Sequence, residues 1–341
     1  MAQDYFTLQW HITDKCDQRC KHCYIFAGKD KEYSLEFPYE VLEKIFFNFM
    51  DMCKRMDRKP SIVLTGGDPI LHKDFWKLLE LFHSNGVPFS ILGNPFHLDE
   101  NVAKELKRLG CTAYQLSLDG LEKTHDFIRK PGSFNVTLSK IKVLNDAKIK
   151  SAIATTVSKL NINEIPELVE IAVEYKASSF GFSRYCPNKE DINNLIEPLV
   201  YREFLETMWD KFMKYQNSRT AFILKDHLWK LFLYEKGIFN IEEDSDLIMD
   251  GCHCGITHMT VLANGEVYGC RRCESHIGKL PENSLYDIFF GNEIEKYRTF
   301  DNFEACTDCE LFRYCRGCPS VSKCATGNFY AKDPQCWKKL R

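Results

Sequence analysis

The chain has no run approaching the roughly 18 apolar residues needed to cross a bilayer. Its start, MAQDYFTLQW, has neither a basic n-region nor an apolar h-region, so no secretory signal is read there. Positive charge is not in excess either: 45 Lys and Arg against 48 Asp and Glu give a net charge of −3. No global field therefore favours nucleic acid or an anionic membrane surface as a partner. Solenoid repeats and low-complexity tracts are also lacking. What remains is a cytoplasmic globular protein, and 341 residues are enough for two domains with a sizeable core.

Cysteine is what the chain has in abundance, with 16 residues. A reducing compartment discourages disulfides and favours metal binding or catalysis. Three cysteines sit at residues 16 to 23, three are scattered (Cys53, Cys111, Cys186), and the rest crowd into residues 252 to 336. The scattered Cys53 and Cys111 read as small buried hydrophobes. Cys186, just past a strand, reads the same way or as a contact to substrate.

Residues 5 to 216 alternate short apolar runs with amphipathic helices, the pattern of βα units around a parallel sheet. YFTLQWHIT, SIVLTGG, PFSILG, TAYQLSL, SAIATTV and SFGFSR are the candidate strands, each followed by a helix. Right-handed crossovers wind six such pairs into an open sheet or an incomplete barrel, with the chemistry at the carboxyl ends of the strands. This predicts an α/β fold with domain 1–216, a bridge over 217–250, and a cysteine-dense domain over 251–341.

Cys16, Cys20 and Cys23 follow the first strand at C-x3-C-x2-C spacing, on a loop at the carboxyl end of the sheet. Three close ligands suit a metal that keeps one coordination position open. A [4Fe–4S] cluster normally takes four thiolates, so three leave one iron free for a substrate or cofactor. On spacing alone a zinc site is the alternative.

CDQRCKHCY, with Tyr24 directly after the third cysteine, resembles the defining motif of the radical S-adenosylmethionine (SAM) enzymes. TGGDP at the end of the second strand is similar to that family's glycine-glycine-acid-proline motif. The resemblance implies a partial (β/α)6 barrel in which the open iron binds SAM, with Tyr24, Gly66, Gly67 and Asp68 at the cofactor. Glycines let backbone approach a ligand closely, and a carboxylate accepts hydrogen bonds from an ammonium. QLSLDGLEKTHDFIRKPGSF extends the likeness to the family's peptide-modifying branch. It implies that Ser117 and Asp119 face cofactor or substrate, Asp119 as the catalytic candidate, and that Arg184 serves the SAM carboxylate. His11, His125 and Arg129 are read as ordinary strand-end polar groups.

After Gly251 the texture changes to short strands, turns and paired cysteines, with ANGE as a hairpin turn that should bring Cys254 and Cys270 together. Paired C-x2-C spacings also fit a zinc ribbon. The order G-x4-C, then C-x2-C-x5-C, resembles the SPASM domain, which carries two auxiliary [4Fe–4S] clusters. By that resemblance Cys254, Cys270 and Cys318 hold the cluster nearer the barrel, and Cys306, Cys309, Cys315 and Cys336 hold the distal one. The last interval departs from the pattern, with two residues between Cys315 and Cys318 instead of three. Cys252, Cys273 and Cys324 are extra, so one of them supplies an eighth ligand or one cluster keeps an open iron.

The resemblance implies reductive cleavage of SAM to a 5′-deoxyadenosyl radical, hydrogen abstraction from substrate, and oxidation through the auxiliary clusters. The electron would come from a reductant such as flavodoxin or ferredoxin. The expected substrate is a ribosomally made precursor peptide, cross-linked through a cysteine thioether. With the first strand starting near residue 5 there is no room for an N-terminal leader-binding domain, so barrel, SPASM domain or a separate protein grips any leader. Formylglycine formation is the alternative, but Arg271 stands where those enzymes place a basic aspartate after the G-x4-C cysteine. A haem precursor or other small molecule is a further candidate substrate. From a different class, a non-catalytic iron–sulfur electron carrier fits poorly with TGGDP beside a three-cysteine loop.

Overall fold

The structure, a computed structural model, describes residues 4–23, 25, 36–187, 192–242 and 247–339. Tyr24 lies outside them. Among the described residues, no helix is long and apolar enough to cross a membrane.

Each expected strand and helix pair forms: β1 (Tyr5–His11) and α1 (Tyr39–Arg55), β2 (Lys59–Thr65) and α2 (Phe75–Ser84), β3 (Phe89–Leu92) and α3 (Glu100–Arg108). After β4 (Cys111–Ser117) comes a short α4 (Glu122–Ile128) not foreseen from the sequence, then α5 (Ser133–Asp146). β5 (Lys150–Val157) with α6 (Ile165–Glu174) and β6 (Ser179–Arg184) with α7 (Pro198–Lys214) complete the series. The local reasons are ordinary ones. In α1, Leu42, Ile45, Phe46, Phe49, Met52 and Cys53 recur at helical spacing and are buried. Asp99 caps α3 by accepting from the Val102 amide at 2.8 Å. Gly86, at φ +65°, takes the left-handed place just after α2.

The bridge contains a strand and a helix, β7 (Ala221–Ile223) and α8 (Trp229–Glu235). β7 adds to β6 in parallel, with Ser179 opposite Ala221. In the cysteine-dense part come β8 (His258–Val261), β9 (Glu266–Tyr268), β10 (His276–Lys279), α9 (Leu285–Phe289), α10 (Asn292–Glu295), α11 (Glu304–Thr307) and α12 (Pro319–Thr326). The hairpin expected at ANGE joins β8 to β9, and Gly265 turns it at φ +84°. Any side chain there would sit about 2.3 Å from the Leu280 carbonyl oxygen.

The chain forms two compact units that cut across the sequence boundaries. The first comprises Met1–Ser117, Asp126–Ala152 and Cys254–Arg298. Its strands run in the order β10, β9, β8, β1, β2, β3, β4. β1 is parallel to β2 on one side and to β8 on the other, so the start of the cysteine-dense part completes the sheet of the first. Phe82 of α2 packs against Trp10 of β1, Phe46 of α1 and Phe89 of β3. The second unit comprises Leu118–His125, Ile153–His253 and Thr299–Arg341. Its core is also aromatic, with Phe182 against Phe204 and Trp229, and Trp229 against Phe212 and Phe232. Burying each such ring is worth about 1.5–3 kcal/mol.

Candidate functional site

In the first unit, the end of β1 runs into the three-cysteine loop, where all three thiols are half-buried. Side chains and backbone bonds together hold the loop. Asn94, just past β3, donates from Nδ2 to the Cys16 sulfur at 3.2 Å and to Asp17 at 2.8 Å. Arg129 donates to the Cys20 sulfur at 3.7 Å, and the Lys21 amide donates to the Ile128 carbonyl at 2.9 Å. Tyr114, buried on β4, fixes Asn94 by donating to its carbonyl at 2.9 Å. Thr13 bonds Glu36, which also pairs with Lys15 at 2.9 Å.

Gly66 and Gly67 prove to serve the loop itself. The Gly67 amide donates to Thr13 at 2.8 Å and the Asp68 amide to Lys15 at 2.7 Å. A Cβ on either glycine would lie about 2.2 Å from the Thr13 or Lys15 carbonyl oxygen. Two backbones thus approach as only glycine allows, which seats the cysteine loop on the end of β2. Asp68 is fully buried, its Oδ1 meets the Asn94 amide at 3.5 Å, and its Oδ2 has no partner. Burial, with Asp17 nearby, pushes its carboxyl up to about 7. An orphaned buried carboxylate oxygen beside a three-thiol loop fits a cationic ligand such as the SAM ammonium. The thiols fit a three-ligand iron cluster by number and spacing.

Ser117 ends β4 half-buried. Asp119, in the second unit, is fully buried, and its carboxylate accepts from the Thr156 amide at 2.7 Å. Its own amide donates to His125 Nδ1 at 3.1 Å, and its carbonyl accepts from Asn161 at 3.0 Å. The HD and GSF steps of the same segment meet in the first unit: Asp126 accepts from the Gly132 and Phe134 amides at 2.6 and 2.9 Å, capping α5. Arg184, at the end of β6, points all its nitrogens into the second unit. Nε donates to Asp226 at 2.7 Å, and Nη1 and Nη2 grip Asp333 at 2.8 Å each. Every member of this group is buried. Burial opposes ionisation of Asp333, but Arg184 and the amides of Cys318 and Gln335 hold it below the usual carboxylate range. Removing one partner of such a buried pair typically costs about 3–5 kcal/mol.

The tail thiols fall into distinct groups. Cys306, Cys309, Cys315 and Cys336 line one pocket of the second unit. Cys318 is not in that lining. Its thiol and that of Cys252 lie near His227, which despite burial is lifted to about 9 by a hydrogen bond to the Cys252 sulfur and by the neighbouring thiols. In the first unit, Cys273, Cys254 and Cys270 lie near Tyr297, whose hydroxyl burial and those thiols push well up against a hydrogen bond with Ser275. The Cys270 loop is stapled by Ser275, which accepts from the Cys270 amide at 2.9 Å and donates to its carbonyl. Cys324 lies half-buried on α12. Cys53 and Cys111 are buried, and burial alone lifts Cys53 to about 12, in keeping with packing roles.

Comparison with known proteins follows the same division. The radical SAM superfamily profile matches residues 10–172 and the SPASM iron–sulfur cluster-binding domain matches residues 252–319. The chain is a radical SAM protein with a SPASM domain. It is therefore an enzyme that uses SAM and a [4Fe–4S] cluster, with further iron–sulfur clusters in the SPASM domain. It is similar to the AdoMet-dependent heme synthase of Methanosarcina barkeri, 26% identical over 96% of this chain and 95% of that one. It is also similar to the mycofactocin maturase MftC of Mycolicibacterium smegmatis, 26% identical over 96% and 82%. Among solved structures, Streptococcus suis SuiB bound to the precursor peptide SuiA shares the fold, with a TM-score of 0.77, 21% identity and coverage of 99% and 77%.

In this radical SAM protein, residues beyond the motifs also contribute. Asn94, His227 and Asp333 all contact or neighbour the candidate cluster thiols, and none was singled out from the sequence. A polar residue at the end of β3 could have flagged Asn94. Nothing local marks Asp333, whose partner Arg184 lies 149 positions away. His11, read as an ordinary polar group, is buried at the end of β1, and burial with Arg271 nearby lowers its imidazole to about 3, so it is neutral.

Proposed function

We propose that this enzyme oxidatively cross-links a ribosomally made peptide, joining a cysteine sulfur to carbon as a thioether. SAM and the first cluster would supply hydrogen-atom abstraction, and the auxiliary clusters would take up the remaining electron. Cys16, Cys20 and Cys23 would hold the first cluster, with Asn94 and Arg129 orienting the loop. Asp68 would receive the SAM ammonium on its unpartnered oxygen. Cys306, Cys309, Cys315 and Cys336 would hold the distal cluster, and the remaining candidate ligands are Cys254, Cys270 and Cys273 in the first unit and Cys252 and Cys318 in the second. We assign Asp119, whose carboxylate is spent on the Thr156 amide, to positioning the end of β4 instead of proton transfer.

The observation that carries this reading is the pocket of four thiols, separate from the three-cysteine loop, which suits a net oxidation. Arg271 supports it over formylglycine formation, because an arginine cannot act as the general base. Full-length likeness to a heme synthase and Arg271 beside neutral His11, a cation suited to a carboxylate, favour oxidation of a haem precursor as a second reading. Anaerobic incubation of the reconstituted enzyme with a cysteine-containing precursor peptide and, separately, with an iron porphyrin carboxylate separates the two. A peptide lighter by two hydrogens supports the first reading. Turnover of the porphyrin alone would replace it.

A further inference from the structure

We infer that the buried Asp333 carboxylate, clamped by Arg184, is a positioning residue that sets the ligands of both auxiliary clusters. Asp333 Oδ2 accepts from the Cys318 amide at 2.7 Å and from Arg184 Nη2 at 2.8 Å. Its Oδ1 accepts from the Gln335 amide at 3.0 Å and from Arg184 Nη1 at 2.8 Å. Its backbone carbonyl accepts from the Cys336 amide at 2.9 Å. One residue thus fixes the backbone of Cys336, which lines the four-thiol pocket, and of Cys318, which does not.

The short interval between Cys315 and Cys318 fits the same contact. Gly317 there has φ +65°, and a Cβ on it would lie about 2.3 Å from the Asp333 Cβ. The sequence RGC can therefore press against Asp333 only because Gly317 carries no side chain. Arg184 completes the arrangement. Its Nε is held by Asp226 at 2.7 Å, and Asp226 in turn accepts from the Leu228 amide at 3.0 Å, so the clamp is anchored at the start of α8. Hydrogen bonding and burial around cluster ligands set reduction potential, and the partners of ligands commonly matter nearly as much as the ligands. A displaced Cys318 or Cys336 would alter the auxiliary clusters while leaving the three-cysteine loop of the other unit intact.

This inference rests on the ligand roles proposed above, so Cys336→Ala is the control for those roles. Asp333→Asn tests the clamp, because either carboxylate oxygen faces both an Arg184 nitrogen and a backbone N–H. The amide NH2 must meet one such pair of donors. Asp333→Asn is expected to lose the electron paramagnetic resonance signal of the auxiliary cluster that takes Cys318, whose amide faces the exchanged carboxylate, with about four irons, and to shift that of the distal cluster. The SAM-sensitive signal of the first cluster and SAM cleavage should persist. Arg184→Lys, which keeps the charge but not the two-pronged grip, is the milder variant and decides the matter if Asp333→Asn does not accumulate. It should retain iron and shift the midpoint potential of an auxiliary cluster. Unchanged auxiliary spectra and potentials in Arg184→Lys overturn the inference. So does a loss of all cluster signals together in that variant, which would make the clamp a general element of the fold. Iron lost in Cys336→Ala but kept in Asp333→Asn would leave the ligand reading standing and sink this one.

Discussion

The three-cysteine loop and the four-thiol pocket solve the same problem of grouping thiols by different means. In the loop, Cys16, Cys20 and Cys23 are all half-buried, and side chains from distant positions, Asn94 and Arg129, reach their sulfurs. In the pocket, Cys306 and Cys315 are buried, and backbone bonds within a few residues set the geometry: the Cys309 amide to the Cys306 carbonyl at 2.9 Å, the Cys315 amide to Leu311 at 2.7 Å. A loop with accessible thiols and an orphaned carboxylate beside it suits a site that must admit a ligand. A pocket that supplies four thiols from its own walls suits a closed cluster. Burial pushes the Cys306 thiol up to about 11, so a cluster held there would itself have to draw off the proton.

The harshest way to test that contrast is to remove the open site. Changing Cys16, Cys20 and Cys23 together to alanine should remove about four of roughly 12 irons and abolish 5′-deoxyadenosine formation, read by iron analysis and chromatography. Continued formation of the nucleoside would refute the assignment. Breaking the closed site should give the opposite pattern. Cys306→Ala/Cys309→Ala is expected to lose a similar share of iron yet still cleave SAM, while the ratio of oxidised peptide to 5′-deoxyadenosine collapses. A wild-type ratio in protein shown to lack that cluster would remove it from the electron path.

The same contrast explains what could be seen in the sequence. The six strand and helix pairs were legible because each depends on local periodicity, as in the apolar stripe of α1 and the stop at Gly86. The placement of Gly66, Gly67 and Asp68 beside the loop was legible from their position at the end of β2, though not that the glycines accommodate Thr13 and Lys15. β7 was hidden, because a strand of three residues carries little periodic signal, and β8, expected at the ANGE hairpin, gave no sign of a partner beyond that hairpin. β8 pairs with β1 across about 250 residues. Arg184 was legible as a strand-end cation, but its partners Asp226 and Asp333 are fixed by tertiary packing, which no local pattern encodes.

Asp68 sharpens the idea that the open site is built to receive a cation. Asp68→Asn should weaken SAM binding by about 10- to 100-fold, the worth of one charge-assisted hydrogen bond of about 1.5–3 kcal/mol, with iron content unchanged. The pH dependence has a definite sign. Burial has raised the Asp68 carboxyl to about 7, so the anion that would meet the ammonium is lost as pH falls through 7. SAM affinity of the wild type, measured by calorimetry, should therefore decline below pH 7, and that of Asp68→Asn should be flat across the same range. Parallel profiles would show that Asp68 does not face the ammonium.

The smallest expected effect separates holding a cluster from tuning it. Asn94 gives one hydrogen bond to the Cys16 sulfur and one to Asp17, and the loop also rests on Gly66, Gly67 and the Lys21 amide. Asn94→Ala should therefore leave the first cluster in place with its full iron. Losing an N–H donor to a thiolate concentrates negative charge on sulfur, which makes the cluster harder to reduce. The expected result is a more negative midpoint potential and SAM cleavage slower by about 10-fold, the lower end for loss of a partner to a metal ligand. Loss of iron in Asn94→Ala would mean that the loop depends on side chains for its integrity as well as its chemistry. An unchanged potential would place Asn94 with Tyr114 and Asp17 as packing around the site.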